Sequence, residues 1–176
     1  MQGVTVIDPF FAPDERGFFS KWFEADIFRA HGIEINPFEA FDSLSAKGVI
    51  RGLHFQKKYW QSKLVRCLSG ELFDVVVDLR KGSLTFGKWE GFYLSAENRR
   101  LIFVPEGFAH GFLSLQNETI TSYLCGDKFD AESDGGIRWD DPQIGVEWPL
   151  DKIDREIIVS QKDQCLPLLS ELDFLR

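Results

Sequence analysis

The chain has three histidines, His31, His54 and His110, few enough for each to be weighed singly. His54 stands in the run Arg51-Gly52-Leu53-His54-Phe55-Gln56, an apolar segment that holds an imidazole close to a guanidinium. Neutral imidazole accepts a proton near neutral pH, so His54 is a candidate general base; the strand pattern leaves a satisfied core or pocket-edge histidine equally open. In a regular strand Arg51 and His54 point to opposite faces, so one shared site requires a twist or bulge, for which Gly52 is the natural place. His110, in Pro105-Glu106-Gly107-Phe108-Ala109-His110-Gly111-Phe112, sits in a turn-rich segment leading into a strand, where it either caps a loop or lines a pocket. His31 falls at the end of a predicted helix, where imidazole complements the carbonyl dipole. A metal held by His54 and His110 would want a third nitrogen or oxygen ligand close by, and the place two residues along the strand is Gln56, so metal binding is the minor reading. Arg16, Arg51, Lys63 and Arg66 are the candidates for holding an anion, although each alone would ordinarily be a solvated surface charge. No phosphate-cradling Gly loop, dinucleotide fingerprint, HExxH or GxSxG occurs.

The elements that must position these groups are mostly strands. Pro and Gly punctuate the chain at short intervals, with no internal repeat or linker-like tract. The clearest strand spans 71–80, where Phe73, Val75, Val77 and Leu79 share a core face and Leu72, Asp74, Val76 and Asp78 share the other, which carries two carboxylates. Further strands are predicted at 49–56, 62–68, 89–94, 101–104, 111–115 and 119–125. Regular short strands imply a sandwich or barrel. A helix is expected over 24–31, with Gly32 as its stop, and a second short one near 163–169.

Composition bounds the partners. The 176 residues fit a single domain over 1–176, and the 17 Phe and 5 Trp suit a sheet-rich core or a ring-binding pocket. A formal charge of −8 argues against nucleic acid as a general partner, which needs many cationic groups. Cys67, Cys125 and Cys165 show no CxxC spacing, so buried free thiols in a reducing compartment are expected. Residues 1–9 carry no basic segment followed by a long apolar run, and no membrane span is expected, which points to the cytoplasm.

Several segments together resemble, in order, the dTDP-4-dehydrorhamnose 3,5-epimerase family over nearly the whole chain. They are Asp14-Glu15-Arg16-Gly17-Phe18-Phe19, Val49-Ile50-Arg51-Gly52-Leu53-His54-Phe55-Gln56, Lys63-Leu64-Val65-Arg66-Cys67, Leu94-Ser95-Ala96-Glu97-Asn98, the His110 segment above, Ile137-Arg138-Trp139-Asp140-Asp141-Pro142 and Ile144-Gly145-Val146-Glu147-Trp148-Pro149. The resemblance implies a jelly-roll sandwich of the cupin type with short peripheral helices, a homodimer, no metal or organic cofactor, and a nucleotide diphosphate-linked 4-keto-6-deoxy sugar as substrate, epimerised at C3 and C5. It implies His54 as base, Asp163 as the carboxylate that orients it, Tyr123 as proton donor and Lys63 as stabiliser of the enolate. Substrate contacts carry over to Arg16, Arg51, His110 and Lys162.

The chain departs from the family pattern at Lys21, where Glu is usual, at Glu39-Ala40-Phe41, where Gln-x-Asn is usual, at Phe129 for Tyr and at Asp134 for Glu. These departures imply a nucleobase preference, or a sugar, different from thymine-linked 4-dehydro-6-deoxyglucose. The chain starts later than is usual for the family, which leaves exchange of an N-terminal strand between protomers open. Competing expectations are a single-centre epimerase on a dTDP- or CDP-linked sugar, a non-catalytic sugar-nucleotide binder and a metal-dependent β-sandwich oxygenase.

Overall fold

The computed structural model describes residues 1–172. Short alternating segments bounded by Gly, Pro and Asn become, in chain order, β1 (Thr5–Ile7), β2 (Phe10–Asp14), β3 (Gly17–Lys21), α1 (Ala25–Ala30), β4 (Glu39–Ser45), β5 (Val49–Gln56), β6 (Lys63–Ser69), β7 (Glu71–Asp78), β8 (Trp89–Ser95), β9 (Leu101–Val104), β10 (Phe108–Ser114), β11 (Thr119–Cys125), β12 (Asp134–Gly136), β13 (Ile158–Val159) and α2 (Gln161–Gln164). One sheet runs β1-β9-β6-β11-β4 and the other β12-β5-β10-β7-β8, with β13 joining β5 in parallel. The strand pairs are otherwise antiparallel, and β2 and β3 form a separate hairpin. The protein is mainly β, a jelly-roll sandwich with two small helices.

Three apolar layers hold it. Between the sheets lie Val65, Leu72, Val76, Ile102, Val104, Phe108 and Phe112. The far face of the second sheet, with Ile50, Leu53, Val75 and Val77, is covered by the C-terminal segment through Ile144, Trp148, Ile153 and Leu169. The far face of the first sheet is covered by α1 through Phe28, together with Ile33 and Ile35. Truncating a side chain as buried as Phe112 to Ala costs about 3–5 kcal/mol, because the cavity left behind closes only partly.

Strand β7 explains why both its faces read as apolar: it is central in its sheet, and every residue from Leu72 to Asp78 is buried. The two carboxylates of its second face therefore lie inside the sandwich. Strand β10 begins at Phe108, not at 111, so His110 belongs to a strand and not to a loop. The expected helix over 24–31 forms as α1, with His31 as its C-cap and Gly32 following at φ +74°. The helix expected near 163–169 starts earlier and ends sooner. Ser160 caps it by accepting the Asp163 amide at 3.0 Å, and Pro167 bars Leu166 from the helical conformation. Cys67 and Cys125 are buried as expected, and burial pushes both thiols up to about 11. Cys165 is exposed instead, because it follows the short α2 on the surface.

Candidate active site

The ladder between β5 and β10 pairs His54 with His110 and Arg51 with Phe112, so β5 spends one residue more than its partner between those two points. Gly52 sits in that irregularity at φ +121°, and a Cβ there would meet the Gly111 Cα at 2.6 Å. Glycine alone fits, since both the backbone angle and the close approach exclude a side chain. The extra residue does what strand parity demands, and Arg51 and His54 open onto one cavity.

That cavity is the inner lobe of a cleft, about 210 Å³, walled by Phe41, Ser43, Arg51, His54, Lys63, His110, Phe112 and Tyr123. An outer lobe of about 310 Å³ shares Phe41, His54 and Lys63, and adds Glu39, Gln56, Gln61, Phe129 and Asp134. Clefts of this size suit small molecules. The two sheets contribute opposite chemistry: His54 stands on β5 of one, and Lys63 and Tyr123 stand on β6 and β11 of the other.

His54 places Nε2 at 2.7 Å from Asp163 Oδ1, while Asp163 Oδ2 accepts the Gly52 amide at 3.2 Å. Burial works against the Asp163 carboxylate, but the hydrogen bond and charge of His54, the Gly52 amide and the Lys162 charge outweigh it and hold its pKa below the usual carboxylate range. An ionised Asp163 only accepts, so the ring proton of neutral His54 belongs on Nε2 and Nδ1 carries the lone pair. The imidazole is one-third exposed, enough to meet a ligand. Tyr123 is buried, and that burial, reinforced by the Asp74 charge, holds its pKa well above that of a free phenol, so it keeps its proton at neutral pH. Burial lowers the Lys63 pKa, while Cys125, Asp74, Asp134 and Glu39 pull it back up.

Arg51 donates to Ser45 Oγ at 3.1 Å and to the Leu44 carbonyl at 3.0 Å, keeping its other N–H groups free for an anion. Lys162 reaches across to Asp134 at the rim and does not line either lobe. Arg16 and Lys21 are not brought to the cleft. Arg16 sits at the tip of the β2–β3 hairpin, paired with Asp14 at 2.6 Å, and Lys21 pairs with Glu24. Arg66 lies outside it as well, its guanidinium 4.0 Å from the centre of the Trp22 ring.

Two residues have roles that strand patterning does not disclose. Asp74, wholly buried, meets His110 Nε2 with both carboxylate oxygens at 2.9 Å; a carboxylate in mid-strand, between Leu72-Phe73 and Val75-Val76-Val77, is the signal. Gln56 donates to the carbonyls of Tyr59 at 2.6 Å and Lys128 at 3.0 Å and accepts the Asp130 amide at 2.6 Å, which clamps the backbone on either side of Phe129. Among the described residues no group of three His, Cys, Asp or Glu side chains could hold a metal ion.

An imidazole and a phenol on opposing sheets, with a lysine beside them, can remove a proton from one side of a carbon and return one from the other. Comparison with known proteins agrees with that chemistry. Residues 1–171 match the family model described as dTDP-4-dehydrorhamnose 3,5-epimerase. A dTDP-4-dehydrorhamnose 3,5-epimerase of Methanothermobacter thermautotrophicus is 50% identical over 164 residues, covering 93% of this chain and 88% of that protein. The crystal structure of a dTDP-6-deoxy-D-glucose-3,5-epimerase from Legionella pneumophila, in complex with dTDP-4-keto-L-rhamnose, superposes with a TM-score of 0.94 at 41% identity, covering 98% of this chain and 91% of that one. A 3'-monoepimerase from Streptomyces bikiniensis, in complex with dTDP-quinovose, superposes at 0.87 with 30% identity, covering 96% and 84%.

Proposed function

The chain belongs to the dTDP-4-dehydrorhamnose 3,5-epimerase family, and from that premise we propose that it is a cofactor-independent isomerase that inverts C3 and C5 of a nucleotide-linked 4-keto-6-deoxy sugar. The observation that carries this reading is the arrival of His54 and Tyr123 from opposite sheets in one lobe. Protons on C3 and C5 are acidified by the C4 carbonyl between them. His54, held by Asp163 with Nδ1 free, takes one of these protons; the C–H electrons move into the ring carbon–carbon bond and the carbonyl becomes an enolate oxygen. Lys63 offsets that negative charge. Tyr123 then gives its proton to the carbon from the other side, the carbonyl re-forms, and exchange with solvent resets both groups. Each positioned acid or base contributes about 10²–10⁴ in rate.

Arg51, at the inner lobe, suits diphosphate oxygens, with the remaining nitrogen of His110 and the Lys162–Asp134 pair as further contacts. The outer lobe, with Glu39, Phe41, Phe129 and Asp134, receives the nucleoside. These are the places where the chain departs from the family pattern, which supports a nucleobase, or a sugar, different from thymine-linked 4-dehydro-6-deoxyglucose; turnover of dTDP- and CDP-linked 4-keto sugars measured side by side decides this, and a strong dTDP preference sinks it. The working form is a cytoplasmic homodimer. Phe10, Phe18 and Phe19 on the β2–β3 hairpin are more than half exposed, and a second copy covering them would bring Arg16 to its neighbour's cleft. Sedimentation that gives a monomer would remove that arrangement.

Incubation in D₂O tests the reaction itself: deuterium at both C3 and C5, with inversion, is the expected outcome. Label at C3 alone would instead make the chain a single-centre epimerase, the activity of the Streptomyces bikiniensis relative. Turnover is expected to persist in a chelator, and stoichiometric iron by elemental analysis would speak for an oxygenase.

A further inference from the structure

Tyr123 is held by two aromatic rings. Its strand partner across the β11–β4 ladder is Phe41, and the two rings stack with centroids 4.7 Å apart and planes inclined by 18°. The His110 ring also meets Tyr123, edge-on, 5.8 Å away and inclined by 80°, itself fixed by the buried Asp74. Strand β4 is the edge of its sheet, so Phe41 is 48% exposed where Tyr123 is 7% exposed. Phe41 lines both lobes of the cleft and so stands where they meet.

We propose that Phe41 is a positioning residue: by stacking on Tyr123 it holds the phenol to one approach to the sugar, and so sets how reprotonation divides between C3 and C5. The inference rests on the epimerase reading above. C3 and C5 flank the C4 carbonyl, and a single acid serves both only if the sugar turns or the phenol shifts. A phenol stacked face to face on one ring and held edge-on by a fixed imidazole has one ring position, which leaves the turning of the sugar as the slow route to the second centre. Removing the stack gives the phenol a second ring position. Offset aromatic pairs favour one arrangement by up to about tenfold, so the bias between the two centres is of that order. A residue that only walls the cleft would change KM and leave the division between centres alone.

The test follows the initial appearance of deuterium with inverted configuration at C3 and at C5 by NMR in D₂O, label returned without inversion being set aside, with a dTDP-linked and a CDP-linked 4-keto-6-deoxy sugar as probes. In the parent the two rates are expected to differ by about tenfold, in Phe41→Ala to approach each other within about threefold, and in Phe41→Tyr, which keeps the stack, to remain as in the parent. Phe41→Leu serves if the alanine variant does not fold. An unchanged ratio on loss of the ring overturns the inference whatever happens to KM, as does a parent that labels both centres equally. A parent that labels neither centre with either probe overturns the epimerase reading itself.

Discussion

Changing Asp163 to Asn removes a charge from the pair with His54 and leaves one side-chain oxygen where two accept, from His54 and from the Gly52 amide. The helix cap survives, because Ser160 accepts from the backbone amide of residue 163 and not from its side chain. What is lost is the carboxylate that takes His54 Nε2–H at 2.7 Å. A hydrogen bond to an ionised group contributes about 1.5–3 kcal/mol. The bond strengthens as the imidazole takes up the substrate proton, since Coulomb attraction at 4 Å, about 4 kcal/mol at an effective dielectric of 20, acts fully only on the imidazolium. The imidazole is one-third exposed, so solvent screens part of that gain and about 2–3 kcal/mol is a fair share. At 1.36 kcal/mol per factor of ten, kcat is expected to fall about 30- to 160-fold. A second effect deepens the loss. An Asn side-chain amide donates to Nε2, which moves the ring proton to Nδ1 and leaves no lone pair for the substrate, so the fall extends toward about 10⁴. The assay is steady-state epimerisation with a substrate isotope effect, kcat and KM being separated. A kcat within threefold of the parent would show that Asp163 neither orients nor stabilises the base.

Tyr123→Phe keeps the ring stack and removes the proton; inversion is expected to fall at least about 10²-fold while hydrogen exchange at the acidified carbon continues, a split that NMR in D₂O resolves. Loss of both in parallel would deny Tyr123 the role of acid. Asp78 is wholly buried, and although burial alone would raise its pKa, Arg80, Ser83 and Thr85 hold it well below the usual range. The folded state thus binds fewer protons, so this carboxylate contributes stability above its unfolded pKa of about 3.9 and loses it as pH falls toward the folded value. Asp78→Asn is expected to cost about 3 kcal/mol at neutral pH, read by urea unfolding, with the gap to the parent closing below about pH 4. Gly52→Ala forces a Cβ within 2.6 Å of the Gly111 Cα and 2.9 Å of the His110 carbonyl oxygen at a φ of +121°. A loss of at least about 2 kcal/mol in stability is expected together with most of the activity, and a fully active, equally stable variant would refute the account of the β5 bulge.

Strands with one buried face or with dense apolar character were legible in the sequence: β5, β6, β7, β8, β9 and β11 fall within two residues of their predicted spans. Strand β4 was not, because an edge strand with Ala40, Phe41 and Asp42 exposed has no clean alternation. Parity showed that a site shared by Arg51 and His54 requires a twist or bulge, and the irregularity in the ladder at Gly52 supplies it. Asp163 and Tyr123 carry no local signal. One is a carboxylate on a four-residue helix and the other an aromatic in an ordinary strand, and only long-range packing brings them to His54. Arg16 and Lys21 show the converse: a motif aligned along the chain need not converge within a single chain.

Because His54 and Tyr123 are carried by different sheets, no stretch of sequence fixes the span between them. Val65, Val76 and Phe112, packed in the layer between the sheets, act as its gauge blocks. Protein interiors compress little, so the gap is a machined tolerance, and residues that never meet a sugar set it. A thicker or thinner ring is then accommodated by altering volume in that layer while the acid and base stay as they are. Hydrostatic pressure, which closes such gaps slightly, becomes a probe of turnover that leaves every side chain in place.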